Sequence, residues 1–314
     1  MEKEDSSAVL ERDSTFLPRP VTEKVTLTEE DDLVVVAQSS MQGWRRTMED
    51  VAVVWTKIPG DTTDTKYFGI FDGHGGTSVA EYAGTFLIHN IMNQPEWKTN
   101  LKEAIRKGFV ECDQQLREER DPNQLVSGST ALTVFIRGDH IYCGNIGDSR
   151  AVGSENDQCV KLSHDHKPSI SSERERILSA GGHVFQDRVN GNLGLSRAFG
   201  DFAYKKYRSP PEQQMVTPVP EVIMKPLGKQ WQFIVMACDG IWEVLNDDSV
   251  TNFVRSKLFQ RKSPGHVAEM LMQQCLAPAA DMYAVGCDNM TMIIVLFKWA
   301  QFAPMKPKSS YYKG

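Results

Sequence analysis

The stretch that most constrains this chain is an apolar run that ends on a carboxylate inside a glycine cluster, Tyr67-Phe68-Gly69-Ile70-Phe71-Asp72-Gly73-His74-Gly75-Gly76. Aromatic and β-branched residues favour a strand, and the glycines cannot continue it. Asp72 is therefore predicted at a strand end, and the missing side chain of Gly73 lets the backbone approach a small ligand or ion. Taken alone, the pattern fits a tight turn whose aspartate caps a following helix equally well.

Similar carboxylates recur at the ends of other apolar runs. The run 232–238 stops on Asp239 and a glycine, and Asp288 stands just before the run 290–297. Asp148 lies in the turn between two strand-like segments, where an Asx-turn is an equally good interpretation. The chain thus repeats one sequence pattern: a predicted strand that begins or ends at an acidic residue.

Glu49 and Asp50 stand directly before a further strand-like run, 51–55. Together with the run 33–37, this segment by itself is most simply a hairpin whose charges are solvated. Adjacent side chains at a strand point to opposite sides, however, so one of the two carboxylates could face a site while the other supports it.

Carboxylates that met at one end of a sheet would repel one another and raise one another's pKa values, unless a divalent cation held them. All the candidate ligands are oxygens, and the chain has no histidine or cysteine cluster at zinc spacing, which favours Mg²⁺ or Mn²⁺. Such ions, sharing one aspartate and a water, suit phosphate ester hydrolysis. The residues themselves therefore predict a carboxylate metal site and phosphoryl chemistry.

Composition narrows the class of protein. A net charge of -6 over 314 residues argues against a nucleic-acid partner bound through general electrostatics. No apolar run is long enough for a transmembrane segment, and the charged start of the chain is unlike a signal peptide. The six cysteines form no Cys-x-x-Cys pair, which predicts reduced thiols. We expect a monomeric protein of the cytoplasm, or of the cytoplasm and nucleus.

The two ends of the chain differ in composition from the middle. Residues 1–32 are polar and mixed in charge, which predicts a flexible arm. Residues 298–314 contain four lysines and no acidic residue, which predicts a basic tail. The segment 204–220 is rich in proline and basic residues and predicts an exposed loop beside the site, here called the flap.

A series of short motifs follows in one order between residues 33 and 297. They are Gly43-Trp44-Arg45 with Met48-Glu49-Asp50, Phe71-Asp72-Gly73-His74-Gly75-Gly76, Gly128-Ser129-Thr130-Ala131, Gly147-Asp148-Ser149-Arg150, the segment Asn190–Asp201, Ala237-Cys238-Asp239-Gly240-Ile241-Trp242 and Asp288-Asn289-Met290. Together they resemble the motifs of the metal-dependent PP2C (PPM) protein serine/threonine phosphatases. The ordered set is far more specific than any single motif, and residues 33–297 are expected to form a PP2C-like phosphatase domain.

The resemblance implies an α+β fold, a four-layer αββα sandwich in which two antiparallel β-sheets pack face to face between helices. It also implies two Mg²⁺ or Mn²⁺ ions at one end of the sandwich. By position, Asp72 would bridge both ions, while Asp239 and Asp288 would bind the first. The carbonyl oxygen of Gly73 and, through water, Glu49 would serve the second.

The resemblance assigns further roles around those ions. Asp50 would orient a metal-bridging hydroxide, and Arg45 would hold the substrate phosphate with its planar guanidinium fork. His74 would protonate the leaving serine or threonine oxygen. A weaker third metal site would use three acidic residues, the last of which is commonly an aspartate in the family: Asp148, Asp239 and Glu243.

The implied function is hydrolysis of phosphoserine and phosphothreonine in phosphorylated protein substrates, by the bridging hydroxide and without a covalent phosphoenzyme. One alternative is a pseudophosphatase-like scaffold that keeps the fold and binds phosphoproteins. Another is a metal phosphatase for small molecules, because the chemistry at phosphorus is the same.

Overall fold

The computed structural model describes residues 16–119, 126–281, 285–300 and 302. Its strands are β1 (Phe16–Glu30), β2 (Val34–Arg45), β3 (Val51–Trp55), β4 (Lys66–Phe71), β5 (Gly73–His74), β6 (Gly128–Ser129), β7 (Ala131–Arg137), β8 (His140–Ile146), β9 (Arg150–Glu155), β10 (Gln158–Lys161), β11 (Val184–Phe185), β12 (Arg188–Val189), β13 (Phe199–Gly200), β14 (Glu221–Pro226), β15 (Trp231–Ala237) and β16 (Met290–Phe297). Its α-helices are α1 (Ser78–Met92), α2 (Leu101–Glu119), α3 (Ser171–Ser179), α4 (Asp239–Trp242), α5 (Asp247–Phe259) and α6 (Pro264–Cys275).

Two antiparallel sheets form the centre of the molecule. One has the strand order β1-β2-β16-β15-β9-β10 and the other β14-β8-β7-β4-β3. Because successive side chains of a strand point to opposite faces, each sheet buries one face against the other sheet. The core between them is made of buried apolar residues from both, including Val36, Phe68, Ile70, Leu132, Val134, Ile234, Met236 and Val295.

Helices cover the outer face of each sheet. The pair α1 and α2 packs on the five-stranded sheet, and the pair α5 and α6 packs on the six-stranded sheet. Each pair has its own apolar cluster against its sheet, around Phe109 on one side and Leu271 on the other. The predicted four-layer αββα sandwich is therefore confirmed.

The antiparallel pairing gathers the acidic strand ends at one end of the sandwich. In the five-stranded sheet the start of β3 is paired with the end of β4, and the start of β7 with the end of β8. In the six-stranded sheet the start of β9 is paired with the end of β15, and β16 starts opposite Met41 of β2. Strands from both sheets thus begin or end at this one end, although they are far apart in the chain.

The hairpin interpretation of residues 33–55 is wrong. Strand β2 lies in the six-stranded sheet between β1 and β16, whereas β3 is the edge strand of the five-stranded sheet. The charged connection of residues 46–50 therefore crosses from one sheet to the other. The crossing brings Glu49 and Asp50 between the two sheets, at the acidic end of the sandwich.

The predicted flexible arm is also wrong over Phe16–Glu30, which forms β1 and pairs with β2 from Phe16↔Arg45 to Glu30↔Val35. Its charged residues and its prolines, Pro18 and Pro20, are compatible with an edge strand, where one row of backbone groups needs no partner. Residues 1–15, and the predicted basic tail beyond Ala300 apart from Phe302, lie outside the described residues.

Within the described residues, no helix is long and apolar enough to span a membrane.

Candidate metal centre

Asp72 is the centre of an acidic cluster at the end of the sandwich. Its side chain belongs to two groups in which the potential ligand atoms all lie within 4.8 Å of one another. The first group adds Asp148 and Asp239, and the second adds Asp50 and Cys238. The Asp72 backbone is fixed by Thr130, whose Oγ1 accepts from the Asp72 N–H at 3.0 Å and whose N–H donates to the Asp72 carbonyl at 2.9 Å.

The ionised forms of the carboxylates in this cluster are destabilised by burial and by repulsion between their negative charges. Burial raises the pKa of Asp72 well above its usual value, and the negative charges of Asp239, Asp50 and Asp148 raise it further. Burial likewise raises the pKa of Asp239, with added repulsion from Asp148 and Asp288. The pKa of Asp50 is raised to about 6, mainly by burial. The free energy of such a cluster falls if a cation joins it.

The donor set fits hard divalent cations. Oδ2 of Asp50 is buried and has no hydrogen-bond partner within the described structure, so it is an acceptor that a bound water or ion could satisfy. Burial and the nearby carboxylates raise the pKa of the Cys238 thiol well above its usual value, which keeps it neutral and unsuited to bind a metal as thiolate. The remaining ligands are oxygens, as Mg²⁺ and Mn²⁺ prefer.

Glu49 is held in place beside this cluster by two hydrogen bonds. Its Oε1 accepts from Thr47 Oγ1 at 2.7 Å, and its Oε2 accepts from the Gly76 N–H at 3.0 Å. A Cβ on Gly73 would lie 2.6 Å from the Glu49 carbonyl oxygen, which only a glycine avoids. The glycine therefore lets the Asp72-Gly73 backbone and the Glu49 segment approach each other.

Asp288 and Arg45 form an ion pair at the edge of the cluster. Nη2 of Arg45 lies 2.5 Å from Oδ2 of Asp288, and the two side chains are 43% and 27% exposed. Arg45 is the last residue of β2, so its guanidinium reaches the cluster from the six-stranded sheet. Its Nε has no hydrogen-bond partner within the described structure. The rest of the Arg45 side chain lines the cleft, so its positive charge is available to an anion beside the carboxylates.

The residues predicted for a third metal site also lie at the cluster. Glu243 comes one helical turn after Asp239, and its N–H donates to the Asp239 carbonyl at 2.8 Å, so both side chains lie on one face of the turn. Asp148 accepts a hydrogen bond from the ammonium group of Lys167. Lys167 was not predicted from the sequence, and it supplies a positive charge to this side of the cluster.

His74, the last residue of β5, lies next to the cluster. It pairs with Asp201, a residue to which the sequence analysis assigned no role. Its Nε2 lies 2.8 Å from Oδ2 of Asp201, whose side chain is only 6% exposed. Burial lowers the pKa of His74, but the hydrogen bond and charge of Asp201, with the charges of Asp148 and Glu49, outweigh it, so the net pKa is raised. The imidazole is therefore disposed to carry a proton.

Most of these groups, but not Asp50, Cys238 or Asp201, line a cleft of about 850 Å³ that opens to solvent. Its lining includes acidic residues, among them Asp72, Asp239 and Asp288, and basic residues, among them Arg45 and Lys167. Strand β12 and the loop after it form one wall, from which Arg188 lines the cleft. A lining with both acidic and basic side chains suits a cation-assisted reaction of an anionic substrate.

The family model described as Protein phosphatase 2C matches residues 34–282 of this chain. The chain belongs to the protein phosphatase 2C family. A probable protein phosphatase 2C of Caenorhabditis elegans is 46% identical over 281 residues, which cover 89% of this chain and 79% of that protein. Protein phosphatase 2C homolog 2 of Schizosaccharomyces pombe is 42% identical over 288 residues, which cover 90% of this chain and 78% of that protein.

A solved structure supports the fold of this protein phosphatase 2C chain. The crystal structure of a serine-threonine phosphatase 2C from Toxoplasma gondii matches with a TM-score of 0.75 and covers 88% of this chain and 99% of that one. The two sequences are 21% identical, a level at which the likeness shows the fold alone. The sandwich described above is thus the architecture of a solved phosphatase 2C.

In this phosphatase 2C chain, the predicted site residues all lie at the acidic end of the sandwich, and a third organising residue was missed besides Lys167 and Asp201. Asn289 accepts from the Glu49 N–H at 3.0 Å and donates to the carbonyls of Gln42 at 2.8 Å and Thr47 at 2.9 Å. It therefore ties the start of β16 to the crossing segment. Its place next to Asp288 was the one signal available in the sequence.

Proposed function

We propose that this chain is a protein serine/threonine phosphatase that depends on Mg²⁺ or Mn²⁺. The observation that carries the proposal is the buried carboxylate cluster around Asp72, with an unsatisfied oxygen on Asp50 and the guanidinium of Arg45 at its edge. Membership of the protein phosphatase 2C family supports a phosphoprotein as the substrate.

Two cations would be held by the residues that already crowd together. Asp72, Asp239 and Asp288 would bind one ion, and Asp72 with the Gly73 carbonyl and Glu49 would hold the other. When bound, these ions supply Lewis acidity that makes water a nucleophile at neutral pH. The cost of burying the carboxylates is then offset by their attraction to the cations.

The substrate phosphate would be bound by Arg45, because a guanidinium fork can donate two parallel hydrogen bonds to two phosphate oxygens. On binding, the phosphate replaces part of the contact that Arg45 now makes with Asp288. Asp50 would accept a hydrogen bond from the attacking water at its unpaired Oδ2, which would orient the water and take up its proton as the bond to phosphorus forms. Arg45 would thus bind the phosphate, whereas a different residue, Asp50, would orient the attacking water.

The reaction would form one phosphorus–oxygen bond to the attacking water and break the bond to the serine or threonine oxygen. That leaving oxygen gains negative charge and needs a proton. Nε2 of His74 is engaged by Asp201, so Nδ1 is the ring nitrogen that would deliver the proton. The products are inorganic phosphate and a free hydroxyl side chain.

A covalent phosphoenzyme is not needed in this scheme. The thiol in the described cluster, Cys238, is buried and its pKa is raised well above the usual value, so it is a poor nucleophile. Direct attack by water on the bound phosphate is therefore the proposed route.

The test is phosphate release from a phosphothreonine peptide, measured with Mn²⁺ and with excess EDTA. We expect activity with Mn²⁺, loss in EDTA and restoration when Mn²⁺ is returned. Asp239→Asn should lower turnover by roughly 100-fold or more, because a charge that holds the cation is lost. Asp64→Asn, at a side chain that is 91% exposed, is the matched control and should retain activity.

Two outcomes would contradict the proposal. Full activity of the wild type in excess EDTA would exclude the metal dependence. Phosphopeptide binding without phosphate release, with Mn²⁺ present, would instead favour the scaffold alternative.

A further inference from the structure

The contact between His74 and Asp201 is built by three short strands that pair as β13-β6-β5. His74 ends β5, Asp201 directly follows β13, and Gly128 begins the strand between them. Gly128 is paired with His74 on one side and with Gly200 on the other. The two side chains meet across the middle strand, although they are 127 positions apart in the chain.

Gly128 supplies the space in which this contact forms. A Cβ at this position would lie 2.2 Å from Oδ2 of Asp201 and 2.5 Å from Nε2 of His74. Real Cβ atoms do not approach other atoms so closely, so a larger residue would force the pair apart. The three-stranded sheet therefore has room for the contact between the His74 imidazole and the Asp201 carboxylate because residue 128 is a glycine.

Asp201 is itself held by its surroundings. Its backbone has φ of 49°, a left-handed conformation that is uncommon for residues other than glycine. Its N–H donates to the Ser127 carbonyl at 3.2 Å, and the N–H of Gly200 donates to Oδ1 of Asp113 at 2.9 Å. The Asp201 carboxylate is therefore presented from a fixed backbone.

A buried ion pair anchors this backbone to the helical layer. Nζ of Lys205 lies 2.7 Å from Oδ1 of Asp113 on α2, and the two side chains are 1% and 8% exposed. The same ammonium group donates to the Ala198 carbonyl at 2.9 Å. Lys205 belongs to the predicted exposed flap, yet it is buried and ties both sides of Asp201 to α2.

We infer that Asp201 is a positioning residue for the reaction: it holds the His74 ring through Nε2–H, so that Nδ1–H is directed to the leaving oxygen of the substrate. This inference rests on the proposed phosphatase function and deepens it. Asp201 does not touch the substrate. It acts by restricting the rotation of an imidazole whose side chain is 32% exposed and would otherwise turn more freely in the cleft.

The inference predicts an effect that depends on the leaving group. A serine or threonine alkoxide needs a proton as it departs, whereas the phenolate released from p-nitrophenyl phosphate hardly does. A residue that only supports the fold or the metal ligands would affect both substrates alike. The ratio of the two losses in kcat therefore separates positioning of the proton donor from general support.

The experiment compares kcat on a phosphothreonine peptide and on p-nitrophenyl phosphate at saturating Mn²⁺. Asp201→Asn, which keeps the shape and removes the charge, should lower kcat on the peptide by roughly 10–100-fold, the range found when the hydrogen-bond partner of a metal-binding histidine is lost. The loss on p-nitrophenyl phosphate should be severalfold smaller. Gly128→Ala should show the same selectivity, because it separates the pair without changing either member.

Two further variants sharpen the result. In a His74→Ala background, Asp201→Asn should cause almost no additional loss on the peptide, because the residue it positions is gone. Asp64→Asn is the matched control, since Asp64 also has a left-handed backbone, with φ of 51°, but lies on the surface. It should leave both rates unchanged.

Equal losses on the two substrates, or additive losses of His74→Ala and Asp201→Asn, would overturn the inference while leaving the phosphatase function intact. A wild-type protein that releases phosphate from neither substrate with Mn²⁺ would instead overturn the proposed function, and the inference with it. Turnover of p-nitrophenyl phosphate also reports folding, so a variant that retains it and loses the peptide reaction supports the inference.

Discussion

Replacing Asp50 by asparagine should make the metal-free protein more stable at neutral pH, although it should damage activity. In the folded protein the pKa of Asp50 is raised from 3.8 to about 6, first by burial and then by the charge of Asp288, while hydrogen bonds from Thr291 and Cys238 oppose the rise. Keeping Asp50 ionised in the fold therefore costs free energy that an amide does not cost.

The sign and the size follow from proton linkage. Between the unfolded and folded pKa values, the folded state holds a proton that the unfolded state lacks, so stability falls as the pH rises through this window. At pH values above the folded pKa of Asp50, the free energy of unfolding has fallen by its full amount. This is about 3 kcal/mol, since one pKa unit corresponds to about 1.4 kcal/mol. A hydrogen bond weakened by the amide would reduce the gain by about 1 kcal/mol.

The assay is unfolding of wild type and Asp50→Asn in EDTA at several pH values from about 4 to 7.5, in the window that linkage defines. We expect the variant to be more stable by about 2–3 kcal/mol at neutral pH, and to melt higher by roughly 2–4 °C for each kcal/mol. The advantage should shrink towards the acid end, where Asp50 is protonated in the folded protein. Asp64→Asn is the control and should follow the wild type.

A difference in stability that does not change with pH would show that the amide acts through packing rather than through the loss of the Asp50 charge. A variant that is less stable at neutral pH would contradict the expected gain in stability. With saturating Mn²⁺ the wild type should regain the advantage, since a ligand that binds only the folded state stabilises it.

Two further variants test other parts of the site. Arg45→Ala should raise KM for a phosphothreonine peptide by roughly 10–100-fold with a smaller change in kcat, because hydrogen bonds to charged groups are worth roughly 1.5–3 kcal/mol; steady-state kinetics with an unchanged KM would exclude the phosphate-binding role. Asn289→Ala removes hydrogen bonds to Gln42, Thr47 and Glu49 and should lower the free energy of unfolding by roughly 2–4 kcal/mol. Urea denaturation with a loss under about 0.5 kcal/mol would show that the crossing segment does not depend on it.

The sequence predicted the acidic strand ends because they are local features. Asp72 and Asp239 each follow a continuous apolar run and precede a glycine, and this pattern ends a strand wherever it occurs. Antiparallel pairing then brings the ends together, since the start of one strand lies beside the end of its neighbour. The cluster could therefore be predicted before the sheet order was known.

Sheet membership could not be predicted in the same way. Strand β1 was missed because its exposed, charged positions match those of a solvated segment, and only pairing with β2 makes it a strand. The 33–55 hairpin was wrong because a five-residue connection is long enough either to turn within one sheet or to cross to another. The choice depends on β16, which lies far along the chain and takes the place beside β2.

The positioning residues were missed for a related reason. Asp201 and Asn289 both lie within motifs that the sequence displays, but their roles come from contacts across the fold, to His74 and to the segment before β3. Such contacts leave no local pattern of spacing or polarity. Lys205 is a similar case, because its basic surroundings predict exposure and its buried partner, Asp113, is on another element.

Anomalous X-ray diffraction from crystals of the protein grown with Mn²⁺ would locate the cations at the acidic cluster. We expect two strong manganese peaks, both in contact with Asp72, one also beside Asp239 and Asp288 and the other beside the Gly73 carbonyl. Crystals of Asp72→Asn should lose at least one of them. Full Mn²⁺ saturation with no peak at Asp72 would exclude a metal centre formed by this carboxylate cluster.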